Sequence, residues 1–137
     1  MKLIEVVEQV GEGTVVTAAR VRPHWPAFAD GSVDALILVE LVAQSAAVCI
    51  GWQHWLRSGR PPSGRGWLVG VKQADFKCRR LAAGMQVRIR TRLDYAYENY
   101  TAVLGEAVCG DRLLAEVQLQ VLRAEDGEAL RKEGPNG

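Results

Sequence analysis

The sequence predicts an α+β domain, an antiparallel sheet of about six strands wrapped around one long central helix. Three observations carry this prediction. From Val33 to Trp52 the only clearly polar residues are Asp34, Glu40, Gln44 and Ser45, so a helix here is apolar around its whole circumference. Such a helix needs protein on every side. Strand-like runs flank it, two before and four after, and in a chain of 137 residues only a curling sheet supplies that much cover.

Leu3–Val10 and Thr14–Val21 read as the first two strands. Gly11-Glu12-Gly13 joins them as a hairpin turn, because glycine tolerates positive φ. The stretch from Arg22 to Gly31 holds Pro23, Pro26 and a closing Asp30-Gly31, which stop any regular element. The helix then runs from Ser32 or Val33 to Arg57, with Ser32 or Asp30 capping its first turn. The loop Ser58-Gly59-Arg60-Pro61-Pro62-Ser63-Gly64-Arg65-Gly66 ends it. Trp67–Arg80 reads as a long strand, and Ala82-Ala83-Gly84 as a turn. In Met85–Tyr95, Val87, Ile89, Thr91 and Leu93 alternate with Gln86, Arg88, Arg90 and Arg92, the period-2 pattern of a half-buried strand. Tyr97–Asn99 is a turn, Tyr100–Cys109 a strand and Gly110-Asp111 a tight hairpin. In Leu113–Leu122, Ala115, Val117, Leu119 and Val121 again share one face. A single domain over 1–124 and a fraying polar tail over 125–137 follow.

Composition narrows the function. A hydrophobic fraction of 48% and a charged fraction of 24% fit a soluble globular protein. A net charge of +1 gives no case for nucleic acid. Cys49, Cys78 and Cys109 form no C-x-x-C or Cys/His cluster, which argues against a disulfide framework or a metal site and suits a reducing, cytoplasmic setting. The N-terminus lacks the apolar run of a signal peptide. A membrane span over Val33–Trp55 would hold Glu40 near mid-bilayer, at a cost of roughly 2.5–3.5 kcal/mol. A helix buried inside a domain is the better reading.

Glu40 is the most informative residue. Read at mid-helix among Ile37, Leu38, Val39, Leu41, Val42 and Ala43, its carboxyl is expected to be buried, and a buried carboxyl suits proton transfer near neutral pH. Gln44, one turn on, can hydrogen-bond and orient it. The competing reading is a structural carboxyl tied to backbone donors or to an arginine at a subunit contact. His24 stands between two prolines, which would fix an imidazole as a general base needs; taken alone, it reads rather as a surface loop histidine. His54 lies near the helix end. Free N–H groups at the helix start can polarise a carbonyl, and Gly31 would let a substrate approach that backbone. Arg88, Arg90 and Arg92, with Arg79 and Arg80, make a basic face that could receive a phosphate or an acidic carrier, against a default of plain solvation. Trp25, Trp52, Trp55 and Trp67 read as packing.

The stretch Val33-Asp34-Ala35-Leu36-Ile37-Leu38-Val39-Glu40-Leu41-Val42-Ala43-Gln44 resembles the helix signature of the hotdog-fold 3-hydroxyacyl-carrier-protein dehydratases, a glutamate followed by two apolar residues and Ala-Gln. Gly70-Val71-Lys72-Gln73-Ala74-Asp75-Phe76-Lys77 is similar to the strand after that helix, and Gly84 fits the following turn. The resemblance runs from Lys2 to Leu122. The chain departs from it before the helix. His24-Trp25-Pro26 stands in place of His-Phe-Pro, there is no Pro-Gly, and the histidine lies farther from the glutamate. Another alignment sets Phe28-x-Asp30-Gly31 on the family's Phe-Phe-x-Gly stretch. The spacing is similar to a divergent branch associated with aryl-polyene and related lipid clusters.

The resemblance implies reversible dehydration of a 3-hydroxyacyl thioester to a 2-enoyl thioester, in fatty-acid or polyene biosynthesis. His24 would remove the C2 proton and Glu40 would protonate the departing hydroxyl. Phe28, Gly31, Gln44, Val69 and Gly70 would line the substrate. It implies no metal or redox cofactor, since the acyl group arrives on the phosphopantetheine of an acyl carrier protein or as a coenzyme A thioester. It also implies a homodimer or higher homo-oligomer, the histidine and acid coming from different subunits. Two alternatives stay open: a hotdog acyl thioesterase, and a non-catalytic acyl-binding or dimerising subunit.

Overall fold

The computed structural model describes residues 2–59, 67–97 and 100–123. The strands in chain order are β1 (Val6–Gly11), β2 (Thr14–Arg20), β3 (Phe28–Ala29) and β4 (Ser32–Asp34). After the helix α1 (Ile37–Ser58) come β5 (Trp67–Phe76), β6 (Arg80–Ala82), β7 (Gln86–Tyr97), β8 (Tyr100–Cys109) and β9 (Arg112–Arg123). Six strands form one sheet in the order β1-β2-β7-β8-β9-β5, every pair antiparallel, and β3-β4-β6 form a small second sheet. The charged stretch 125–137 and the loop over 60–66 lie outside the described residues, as does most of the turn expected at Tyr97–Asn99.

The small sheet is where the sequence expectation fails. The stretch expected to be irregular folds into a hairpin, β3 to β4, through Asp30 (φ 54°) and Gly31 (φ 78°). Two successive positive φ angles are what a two-residue hairpin turn requires. β4 then pairs with β6, Val33 opposite Leu81, which keeps Ser32–Asp34 extended. The helix therefore starts at Ile37, and neither Ser32 nor Asp30 caps it. Asp34 does the nearest equivalent, its Oδ1 accepting from the Leu36 N–H at 2.9 Å. The long strand expected over Trp67–Arg80 splits into β5 and β6 because its end is drawn across to β4.

One face of α1 makes the core. Leu38, Leu41, Val42, Ala46 and Ile50 are buried against Val87, Ile89, Val103 and Leu119 of the sheet. Gly105 on β8 lets the helix approach closely, since a Cβ there would collide with the Val42 Cγ1. The polar residues on this face are satisfied. The Ser45 hydroxyl donates to the Leu41 carbonyl at 2.9 Å, so the 2.6 Å contact with Thr17 is donated by the Thr17 hydroxyl.

The other face of α1 is open, contrary to the expectation of protein on every side. A six-stranded sheet curls past only one side of a helix, leaving Leu36 64% exposed and Trp52, Trp55 and Leu56 open as well. Both sheet edges also carry exposed valines, Val6, Val7 and Val10 on β1 and Val69 and Val71 on β5. Among the described residues no helix is long and apolar enough to cross a membrane.

Candidate active site

Because α1 starts at Ile37, Glu40 lies in its first turn, not at mid-helix, and its side chain is exposed in the single chain. The expected burial is thus corrected. Leu38, Leu41 and Val42 turn towards the sheet, and at 100° per residue Glu40 is carried to the opposite side. The carboxylate still gains from its place, since a negative charge near a helix N-terminus is favourable.

Glu40 is held by a short polar relay. The Gln44 Nε2 donates to the Glu40 Oε1 at 3.1 Å, as the one-turn spacing predicts. The Gln44 Oε1 accepts from the backbone N–H groups of Leu3 at 2.8 Å and Ile4 at 3.1 Å. These two donors fix the orientation of the amide, so that its NH2 must face Glu40. No pattern in the sequence links Leu3 and Ile4 to the helix, because backbone donors carry no residue signature.

The N-terminal segment is tied in turn to the loop carrying His24. The Glu5 carboxylate accepts from Arg22 Nη2 at 2.6 Å, Arg22 Nε at 3.0 Å and the Arg20 N–H at 2.7 Å. The Arg22 hydrogen bond is the main cause holding the Glu5 carboxyl below its ordinary pKa. Beyond Arg22, Trp25 is buried in the core and its carbonyl accepts from the Phe28 N–H at 3.2 Å. His24 stands exposed on the turn between these anchors, and Ala27 adopts the left-handed region at φ 62°. Among the described residues no hydrogen bond joins His24 to Glu40 in one chain. Arg80 braces the following hairpin, its Nε donating to the Ser32 Oγ at 2.5 Å and its Nη2 to the Ser32 carbonyl at 3.0 Å.

The remaining expected residues are dispersed. Phe28 is half-buried on β3, while Gly31 lies in the β3–β4 turn, away from the helix start where the sequence set it. Val69 and Gly70 are exposed on β5, at the opposite sheet edge from β1 and the segment that Gln44 accepts from. The helix-start N–H groups are largely taken, Leu36 by Asp34, Leu38 by the Ala35 carbonyl and Val39 by the Leu36 carbonyl. Arg88 of the basic row pairs with Glu8 at 2.6 Å. Burial pushes the Cys49 thiol up to about 11, which makes it inert. A concavity of about 560 Å3 lies on the outer face of the sheet beside Arg90 and Arg92 of the basic row, with Glu106 and Glu116, and includes neither Glu40 nor His24.

One long helix laid on a six-stranded antiparallel sheet is the hotdog fold. The chain belongs to the ApeP-like family, whose model, ApeP dehydratase, matches residues 1–132. Solved structures agree on the fold. The dehydratase heterocomplex ApeI:P from Xenorhabdus doucetiae superposes with a TM-score of 0.80 at 20% identity, covering 97% of this chain and 90% of that one. A mutant of the phenylacetic acid degradation protein PaaI from Thermus thermophilus gives 0.64 at 20% identity, over 86% and 91%. A phenylacetic acid degradation-related protein from Ralstonia eutropha, described as a candidate thioesterase, gives 0.65 at 18% identity, over 86% and 83%. No curated protein matches the chain significantly.

Proposed function

We propose that this protein dehydrates 3-hydroxyacyl thioesters to 2-enoyl thioesters. The observation that carries the reading is the Glu40 carboxylate held by Gln44, whose amide is itself fixed by two backbone donors, in a chain of the ApeP-like family. In the forward direction His24 accepts the proton from C2, and the C2 electron pair forms the double bond to C3. The C3–O bond breaks as Glu40, which must enter this direction as the neutral acid, gives its proton to the departing hydroxyl; water leaves, Glu40 is left as the carboxylate, and the proton held by His24 restores it. Gln44 occupies the Oε1, so Oε2 is the oxygen that serves the substrate.

An open Glu40 and an exposed His24 in one chain make a partner part of the reading. A second copy, or a second hotdog chain, packs over the Glu40 end of the open face and brings its own His24-bearing loop, or the equivalent, to Glu40. The thioester arrives on the phosphopantetheine arm of an acyl carrier protein or of coenzyme A.

The second reading is hydrolysis, favoured by the accessibility of Glu40, whose carboxylate can take a proton from attacking water, and by the candidate thioesterase among similar structures. One assay separates them. With 3-hydroxyacyl thioesters, dehydration gives the ultraviolet absorbance of a conjugated enoyl thioester, whereas hydrolysis releases free thiol. Enoyl product lost in both Glu40→Gln and His24→Ala, with circular dichroism unchanged, supports the dyad. Full activity in His24→Ala removes that residue from the mechanism. Thiol without enoyl product makes the protein a thioesterase, and neither product makes it a non-catalytic subunit.

A further inference from the structure

We infer that the groove between β1 and α1 seats the acyl chain of the substrate, and that Ala47 and Val48 set the length it accepts; this rests on the thioester reading above. The groove has a volume of about 430 Å3 and is walled by Ile4, Val6 and Val7 on one side and by Gln44, Ala47 and Val48 on the other. That size falls within the range of about 300–1,000 Å3 typical of small-molecule sites. Charged side chains enter the lining only through Lys2 and Glu5, and Glu5 is turned to Arg22.

Three features point to an acyl chain as the occupant. The first is continuity with the candidate site, because Gln44 lines the groove and also donates to Glu40. The second is direction. Gln44, Ala47 and Val48 follow Glu40 at i+4, i+7 and i+8, one stripe of the helix. From Glu40 to Val48 that stripe runs about 12 Å at 1.5 Å per residue, a linear course leading away from the acid. The third is the open apolar surface of Val6 and Val7, 53% and 44% exposed. A strand added to the free edge of β1 would pair its backbone but leave the Ala47–Val48 floor unfilled.

Each methylene buried along this floor is worth about fourfold in affinity. Specificity should therefore climb with acyl length until the groove is full. The small Ala47 is the natural place to block it.

The test compares kcat/KM for 3-hydroxybutanoyl and 3-hydroxydecanoyl thioesters in wild type, Ala47→Phe and Val6→Asp. A parallel measurement follows the binding of cis-parinaric acid, a fluorescent polyene fatty acid, which needs no turnover. In both variants the long-to-short ratio should fall about tenfold or more, and parinaric acid affinity should drop by a similar factor. Val6→Asp comes from the opposite wall at an exposed position, so a folding defect at Ala47 would not explain the same result in both. A ratio that stays at the wild-type value, an equal loss on both substrates, or unaltered parinaric acid binding overturns the inference. Parinaric acid binding that both variants weaken, in a protein that turns over neither thioester, keeps the groove and rejects the dehydratase.

Discussion

The two faces of α1 share one helix and serve opposite ends. Leu38, Leu41, Val42 and Cys49 meet the sheet and are sealed from water. Glu40, Gln44 and Ala47, on the same helix, meet solvent or the N-terminal segment. Each face holds a polar pair one strand or one turn apart. On the closed face Ser45 and Thr17 satisfy each other and hold helix to sheet. On the open face Gln44 satisfies backbone donors with one end and leaves a carboxylate available at the other. A buried polar group must be satisfied completely, whereas an exposed one can keep capacity for a substrate.

If that contrast is right, substitutions on the open face should cost activity and those on the closed face stability. Glu40→Gln should lower kcat for dehydration by about 100- to 10,000-fold, the range of a lost acid–base group, with the urea midpoint unmoved. A midpoint shift with activity retained would erase the contrast. Leu41→Ala, one residue away but fully buried, should destabilise by about 2–5 kcal/mol in urea titration and leave the residual folded enzyme active. Ser45→Ala should cost about 1–3 kcal/mol, because the Thr17 hydroxyl loses its acceptor in the core. Adding Thr17→Val should return part of that loss, and a double variant worse than the sum would show that the pair does not act together.

The smallest expected effect concerns the segment that Gln44 accepts from. Glu5 has a folded-state pKa lowered mainly by the Arg22 hydrogen bond. A group with a depressed folded pKa stabilises above its unfolded value, near 4.5 here, and loses that contribution as pH falls through the folded one. Wild type should thus melt slightly above Glu5→Gln at pH 7, and the two should converge as the pH is lowered below 4.5. A constant gap across that range would show that the ion pair is solvated and contributes nothing.

Much of the large sheet was legible in the sequence. The alternation of Val87, Ile89 and Thr91 with Arg88, Arg90 and Arg92 matches the buried and outward residues of β7, because a period of two has only one solution on a pleated surface. The pairing of β4 with β6 was not, since β6 lies far along the chain; Asp30-Gly31 was the one local signal for the β3–β4 turn. That one miss moved the helix start and, with it, the environment of Glu40. The Glu40–Gln44 contact was legible from their spacing alone; the clamp on Gln44 by Leu3 and Ile4 was not.

By itself, then, the sequence determined that a long apolar helix would lie on an antiparallel sheet and that an acid and an amide would share one of its faces. Both follow from periodicity, which is local. Only the tertiary structure decided which face turns to the sheet, how far the helix extends and what surrounds the acid. Those depend on contacts between residues distant in the chain, such as Val33 with Leu81 and Gln44 with Leu3, whose free energies no local pattern encodes.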